Sequence, residues 1–207
     1  MPSVVIHCWD RYDWCWEDAY FFFNKFWDWT LDWPVYFLTG TKEVDFPNVE
    51  CIKCGDYEWT YRLKNGLNQI KDDYILYFQE DMWLNKPVDG ALMLKLFDLF
   101  IDHDMDAFRL MENGRQYKTG QTPNGILKFD RKSDYLICHQ PSFWKKQFFL
   151  DNLKIIERPK ENEVNGTKRL RGRKDLKIYL YPMQWYTHMI RRGKYITEHF
   201  NEMEGLR

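Results

Sequence analysis

The stretch YILYFQEDMWL, Tyr74 to Leu84, opens as an apolar, aromatic run of the kind a strand carries when both its faces are buried. It then sets Gln79, Glu80 and Asp81 side by side. A carboxylate at the end of such a strand has three uses: a helix cap, a salt bridge, or a ligand for a hard cation. Mg²⁺ and Mn²⁺ take oxygen ligands, commonly one or two carboxylates completed by substrate phosphates. Neighbouring strand residues point to opposite faces, so Glu80 and Asp81 meet at one point only if the strand is already breaking up. Cys51 and Cys54 form a lone C-x-x-C, without the second pair or the two spaced histidines of a zinc site. With five cysteines, an odd number, all five read as reduced thiols. Basic residues gather late, in TKRLRGRKDLK (Thr167 to Lys177) and IRRGK (Ile190 to Lys194), each a solvated face or a place for phosphate.

The elements that must position these residues alternate. SVVIHCW is a short buried strand, and DWCWEDAYFFFNKFWDW a helix buried on most sides. WPVYFLTG is a second strand closed by Gly40, and VECIKC a third ended by Gly55. DYEWTYRLKNGLNQI has helical spacing at Trp59, Leu63, Leu67 and Ile70, with Asp56 as N-cap. The acidic strand follows. LMLKLFDLFIDH predicts another helix and MDAFRLM another strand; residues 113–140 are rich in turn formers. PSFWKKQFFLDNL predicts a helix with Pro141 in its first turn, and LKIYLYPMQWY a late strand leading into HMIRRGKYI. Strand–helix alternation predicts an α/β fold with a largely parallel sheet. No linker or repeat divides the 207 residues, so one domain is expected.

Composition narrows the classes. The net charge of −1 gives the whole chain no strong field toward nucleic acid or anionic lipid. No window approaches the roughly 18 uninterrupted apolar residues of a membrane span. The N-terminus lacks a secretory pattern, so a cytoplasmic protein is expected and the Asn165 sequon carries no meaning. Aromatic residues make up 18% of the chain, with ten Trp, more than a core alone requires; rings of this kind also stack on sugars and nucleobases.

Taken in order, VVIHCWDRYD, WTYRLKNGLNQI before YILYFQEDMWL, SDYLICHQPSFWKKQFFL, ERPKENEVNGTKRLRG and YTHMIRRGKY give the chain a likeness that covers most of its length. It resembles the nucleotide-sugar-dependent glycosyltransferases of the GT-A fold, of bacterial and viral type. The resemblance implies a single Rossmann-like domain over 1–207, a mostly parallel central sheet flanked by helices. Residues 1–85 would form the nucleotide-sugar half and 86–207 the acceptor half. It implies a nucleotide-diphosphate sugar as donor and a glycan or glycoconjugate hydroxyl as acceptor.

In that family the strand-end motif is Asp–x–Asp, its last Asp holding a Mn²⁺ or Mg²⁺ on the donor diphosphate. Here Asp81 takes that position, with Glu80 second and His188 as a C-terminal ligand, while Gln79 departs from the pattern and is left to hydrogen-bond ribose or sugar. Arg191 and Arg192 are placed to meet the diphosphate. Asp10 would meet base or ribose, Trp9 or Tyr12 would stack on the base, and Asp56, Trp59 and Arg62 would line the nucleotide pocket. For the base that deprotonates the acceptor, the resemblance points to Glu163 and Glu161, two residues apart and aimed the same way if the segment is extended. His139, Gln140 and Trp144 would shape the acceptor side. UDP, GDP and dTDP donors all stay open.

Two other classes share features. A sugar nucleotidyltransferase uses a similar architecture, but with an early Gly-rich basic loop, whereas HCWDRYDWCW has no Gly. A carbohydrate-binding module would be a β-sandwich, against the alternation here. A catalytically impaired nucleotide-sugar-binding scaffold is the third alternative, since Gln79 already departs from the family motif.

Overall fold

A computed structural model describes residues 1–111, 119–121 and 125–207; part of the turn-rich segment at 113–140 lies outside them. The first half runs β1 (Ser3–His7), a 3-10 turn (Asp10–Cys15), α1 (Trp16–Phe26), β2 (Val35–Thr39), β3 (Glu50–Lys53), α2 (Trp59–Gln69), β4 (Tyr74–Gln79) and β5 (Met82–Leu84). Then come α3 (Gly90–Asp102), β6 (Ala107–Leu110), β7 (Thr119–Gln121), β8 (Leu127–Phe129), β9 (Ser142–Lys145), α4 (Lys146–Asn152) and α5 (Pro159–Leu170). The chain ends with β10 (Ile178–Tyr181), β11 (Tyr186–His188), β12 (Ile190–Arg191), β13 (Lys194–Tyr195) and α6 (Thr197–Glu204).

Among the described residues nine strands form one sheet, in the order β3-β2-β1-β4-β9-β6-β10-β8-β7. β1, β2, β3 and β4 are parallel, and β10 is parallel to β6; β9 runs antiparallel between β4 and β6. Both halves of the chain thus contribute to one α/β sheet flanked by helices. The period-2 rule sorts its side chains into two cores. Val4, Ile6, Leu76 and Phe78 join Phe22 of α1 and Phe100 of α3 on one face. Val5, Ile75 and Tyr77 join Leu63 of α2, Phe149 of α4 and Leu170 of α5 on the other. No helix among the described residues is long and apolar enough to cross a membrane.

Three local expectations change. The helix expected from Pro141 begins only at Lys146, because Ser142–Lys145 is a strand laddered on both sides, with Ser142, Phe143 and Trp144 fully buried. The segment around Glu161 and Glu163 is not extended but helical: Pro159 opens α5, and the Glu161 Oε2 accepts the Arg158 backbone N–H at 2.9 Å. Helix α2 takes Glu58 rather than Asp56 as N-cap, and no side chain bonds its first turn.

Candidate active site

Strand order reverses at β1. The chain steps from β1 to β2 and β3 on one side, then returns to lay β4 on the other. In open α/β sheets ligands bind beyond the carboxyl ends of the strands at such a point. β1 and β4 end level, His7 opposite Gln79. Trp9 and Asp10 leave one strand there, Glu80 and Asp81 the other, and the Trp9 N–H donates to the Glu80 Oε1 at 3.0 Å. Glu80 is 7% exposed. Burial, then the charge of Asp81, pushes its carboxyl up to about 8, against backbone donors and Arg62. Glu80 therefore stitches two strand ends together, and its buried carboxyl is not offered as an open metal ligand.

Asp81 meets the end of the chain. β11 pairs antiparallel with β5 so that His188 faces Met82, and the Met189 N–H donates to the Asp81 carbonyl at 2.8 Å. That register carries the His188 Nε2 to 2.9 Å from the Asp81 Oδ2. The Asp81 bond raises the His188 pKa, burial and Arg191 opposing it. The Asp81 Oδ1 is buried and accepts no hydrogen bond among the described residues. Of the three expected metal ligands, Asp81 and His188 come together, and no group of three His, Cys, Asp or Glu suited to a metal occurs among the described residues. At the lone C-x-x-C, burial pushes the Cys54 thiol up to about 12, so it is not a thiolate.

Just beyond His188, β12 and β13 form a hairpin whose tip, Arg192 and Gly193, has φ of 53° and 77°. Arg191 and Arg192 are exposed, and neither makes an ion pair among the described residues. A Cβ built on Gly193 would lie 3.9 Å from the Tyr12 hydroxyl, which puts the tip beside the ring pair of Tyr12 and Trp9, 5.3 Å apart.

On the opposite face of the same edge Arg62 is 4% exposed, with its Nε unbonded among the described residues. Burial lowers its pKa while Glu80 and Asp10 hold it up, yet no carboxylate pairs with it directly among the described residues. Trp59, half-buried, is wedged between His7 at 5.7 Å and His139 at 4.6 Å. The His7 Nε2 and both His139 nitrogens lack a bond within 3.5 Å among the described residues. Burial depresses both histidines, His139 to about 3 against a longer approach by Asn162. Gln79 is half-buried on this face.

Other expected residues have different duties. The Asp10 carboxylate accepts the backbone N–H groups of Gly40 (2.6 Å), Thr41 (2.7 Å) and Lys42 (3.2 Å), and the Thr41 hydroxyl (3.1 Å). Burial raises its pKa, but those donors outweigh it. Asp10 is thus spent on the loop after β2 and is not free for a ribose. Asp56 is exposed in the loop before α2. Trp144 offers no face to a sugar: it is fully buried and stacks on Phe149 at 4.6 Å. His139 is buried as well; Gln140, next in the chain, accepts the Tyr186 hydroxyl and lines a cleft of about 380 Å³ with Asn85, Thr187 and His188. Residues 161 and 163 of a helix point about 200° apart. Glu161 is occupied by its cap, while the Glu163 Oε1 accepts the His139 N–H at 3.1 Å and its Oε2 lies 3.6 Å from Lys160. Sequence reasoning missed His7 and the Trp9–Glu80 stitch; a polar residue closing the apolar run SVVIH was the available signal for His7.

No family model matches the chain, and no curated protein matches it in sequence. Solved structures do match in fold. The S. aureus TarS fragment 1–349 in complex with UDP-GlcNAc aligns over 100% of this chain and 65% of its own, at 11% identity and TM-score 0.61. A UDP-glucose pyrophosphorylase complexed with UDP-glucose aligns over 100% and 98%, at 8% identity and TM-score 0.63. A cytidylyltransferase from Leptospira borgpetersenii aligns over 99% and 94%, at 10% identity and TM-score 0.54. The chain spans 37% of a longer TarS chain. At these identities the likeness is one of fold.

Proposed function

We propose that the protein is a glycosyltransferase, moving a sugar from a nucleotide-diphosphate sugar to a glycan or glycoconjugate hydroxyl with inversion. The observation that carries this reading is the Asp81–His188 pair at the switch point, with the buried Arg62 on the other face of the same edge and the exposed Arg191 and Arg192 just beyond His188. The unbonded Asp81 Oδ1 and the His188 imidazole fit a divalent cation, Mn²⁺ or Mg²⁺, which supplies charge neutralisation to a departing diphosphate when bound. Arg62 presents a guanidinium fork to a phosphate, and the hairpin arginines add positive potential. Trp9 and Tyr12 offer rings to the base. Glu163, one oxygen anchored by His139, takes the acceptor proton on the other as the hydroxyl oxygen bonds to the anomeric carbon. The bond from that carbon to phosphate oxygen breaks, and the diphosphate leaves with the electron pair. In support, the fold is shared with TarS, a glycosyltransferase.

Nucleotidyl transfer is the second reading, favoured by the near-complete mutual coverage with the pyrophosphorylase and the cytidylyltransferase. The loop after β1 speaks against it. Its 3-10 turn has no Gly to bring backbone N–H groups up to a triphosphate. The products separate the readings. Nucleotide sugar and Mn²⁺ should release nucleoside diphosphate, in amounts that rise with acceptor. Nucleoside triphosphate formed with pyrophosphate would establish the second reading, and neither product would mark an impaired scaffold. Asp81→Asn should cut release by about 10²-fold or more with the melting temperature retained; unchanged release would remove Asp81 from the reaction.

A further inference from the structure

The turn between α4 and α5 exposes two adjacent isoleucines, Ile155 at 63% and Ile156 at 74%. Scattered apolar residues on a surface are ordinary, but an adjacent aliphatic pair at the tip of a turn is not. Ile156 also has φ of 77°, left-handed backbone that a β-branched residue avoids and glycine adopts freely. The turn is closed by the Glu157 N–H on the Lys154 carbonyl at 3.3 Å. Glycine would relieve the strain and remove the exposed side chain together, so isoleucine here is costly on two independent counts.

Cations stand on either side of the pair, with the Glu161 carboxylate held at the Arg158 backbone N–H. Lys154 and Arg158 flank it, both exposed and neither in an ion pair among the described residues. The intervening acid, Glu157, is neutralised from behind by Arg169 at 2.6 Å and bonded by Asn162 at 2.7 Å. An apolar tip between free cations suits the interface of an anionic bilayer: isoleucine side chains enter the acyl boundary while Lys and Arg stay at the headgroups. The chain's overall charge of −1 hides this local arrangement.

We propose that the Lys154–Arg158 turn docks the protein on anionic membrane surfaces, as a peripheral contact and not a span. Little more than one helical turn separates Pro159 from Glu163, so docking would bring the Glu163 end of the site toward the lipid. The proposal stands apart from the transferase reading, since its test needs neither donor nor acceptor.

The test is flotation of the full chain with vesicles of phosphatidylcholine alone, and with about a third of the lipid replaced by phosphatidylglycerol. The wild-type chain should float with the anionic vesicles only. Ile155→Asp/Ile156→Asp should stay at the bottom, and Lys154→Gln and Arg158→Gln should each weaken binding about fivefold. Ile156→Gly should weaken flotation while keeping or raising the melting temperature, which separates lost docking from lost folding. A wild-type chain that does not float overturns the proposal, as does a double variant that floats equally well. A wild-type dimer that the double variant turns into a monomer, without flotation, would assign the patch to a second copy of the chain instead.

Discussion

At the scale of one residue, Arg62 carries the phosphate contact proposed above. A guanidinium held at 4% exposure with no carboxylate partner among the described residues is a cost to the empty fold, and an arriving phosphate would remove it. Arg62→Met should therefore leave the melting temperature of the empty protein equal or higher while weakening nucleotide-diphosphate binding by about 10- to 100-fold, read by calorimetric titration. Equal affinity would make Arg62 a packing residue. His139 gives the matching acid-side prediction. Its pKa falls from the ordinary 6.5 to about 3. Below 6.5 the unfolded chain takes up a proton that the folded chain refuses, so this contribution is complete above 6.5 and drains away as the pH drops toward 3. Glu80, its folded pKa raised, works the other way over part of that range. The readable quantity is thus the difference from His139→Phe, which should gain about 1.4 kcal/mol on the wild type per pH unit below 6.5. A pH-independent difference between their denaturant midpoints would place the His139 proton elsewhere.

At the scale of elements, what was legible depended on whether local pattern and tertiary demand agreed. β1, β2, β4, α2 and α3 follow their apolar periods, and so the acidic motif fell at a sheet edge as its strand predicted. β9 defeated the pattern because Ser142–Lys145 also suits a helix start, and only a gap between β4 and β6 makes it a strand. The acidic spacing of α5 misled because a two-residue interval aligns carboxylates on a strand and opposes them on a helix. Trp144 and His139 looked like acceptor groups for the same reason: no local signal says that the strand entering there is interior. Helix α2 offers a test in which propensity and packing compete. Alanine at Gly66 would favour the helix by about 1 kcal/mol, but its Cβ would lie 2.6 Å from the Leu38 Cδ1 and 2.7 Å from the Cys54 Sγ, both in the core. Overpacking of that kind costs about 1–3 kcal/mol, so Gly66→Ala should lower stability, seen as an earlier urea midpoint. A later midpoint would show that α2 can lift from the sheet at no cost.

For the whole molecule the prediction is linkage. A nucleoside diphosphate at a hundredfold its dissociation constant adds about 2.7 kcal/mol, a rise of roughly 5–10 °C in melting temperature for a chain of this size. A rise that grows with Mn²⁺ would support Asp81 and His188 as ligands; a rise indifferent to metal would leave the nucleotide to the arginines. No rise with any nucleoside diphosphate would argue against a donor site at this edge.

The bond between Asp81 and His188 joins residues 107 apart in the chain. The ladder between β5 and β11 must close a long loop, at an entropic cost, before the imidazole arrives beside the carboxylate. The Asp81–His188 pair is thus a clasp between distant parts of the chain, and it reports that the β5–β11 ladder beside it has closed. A chain in which that ladder is open keeps Asp81 and His188 apart, whatever apolar surface it shows.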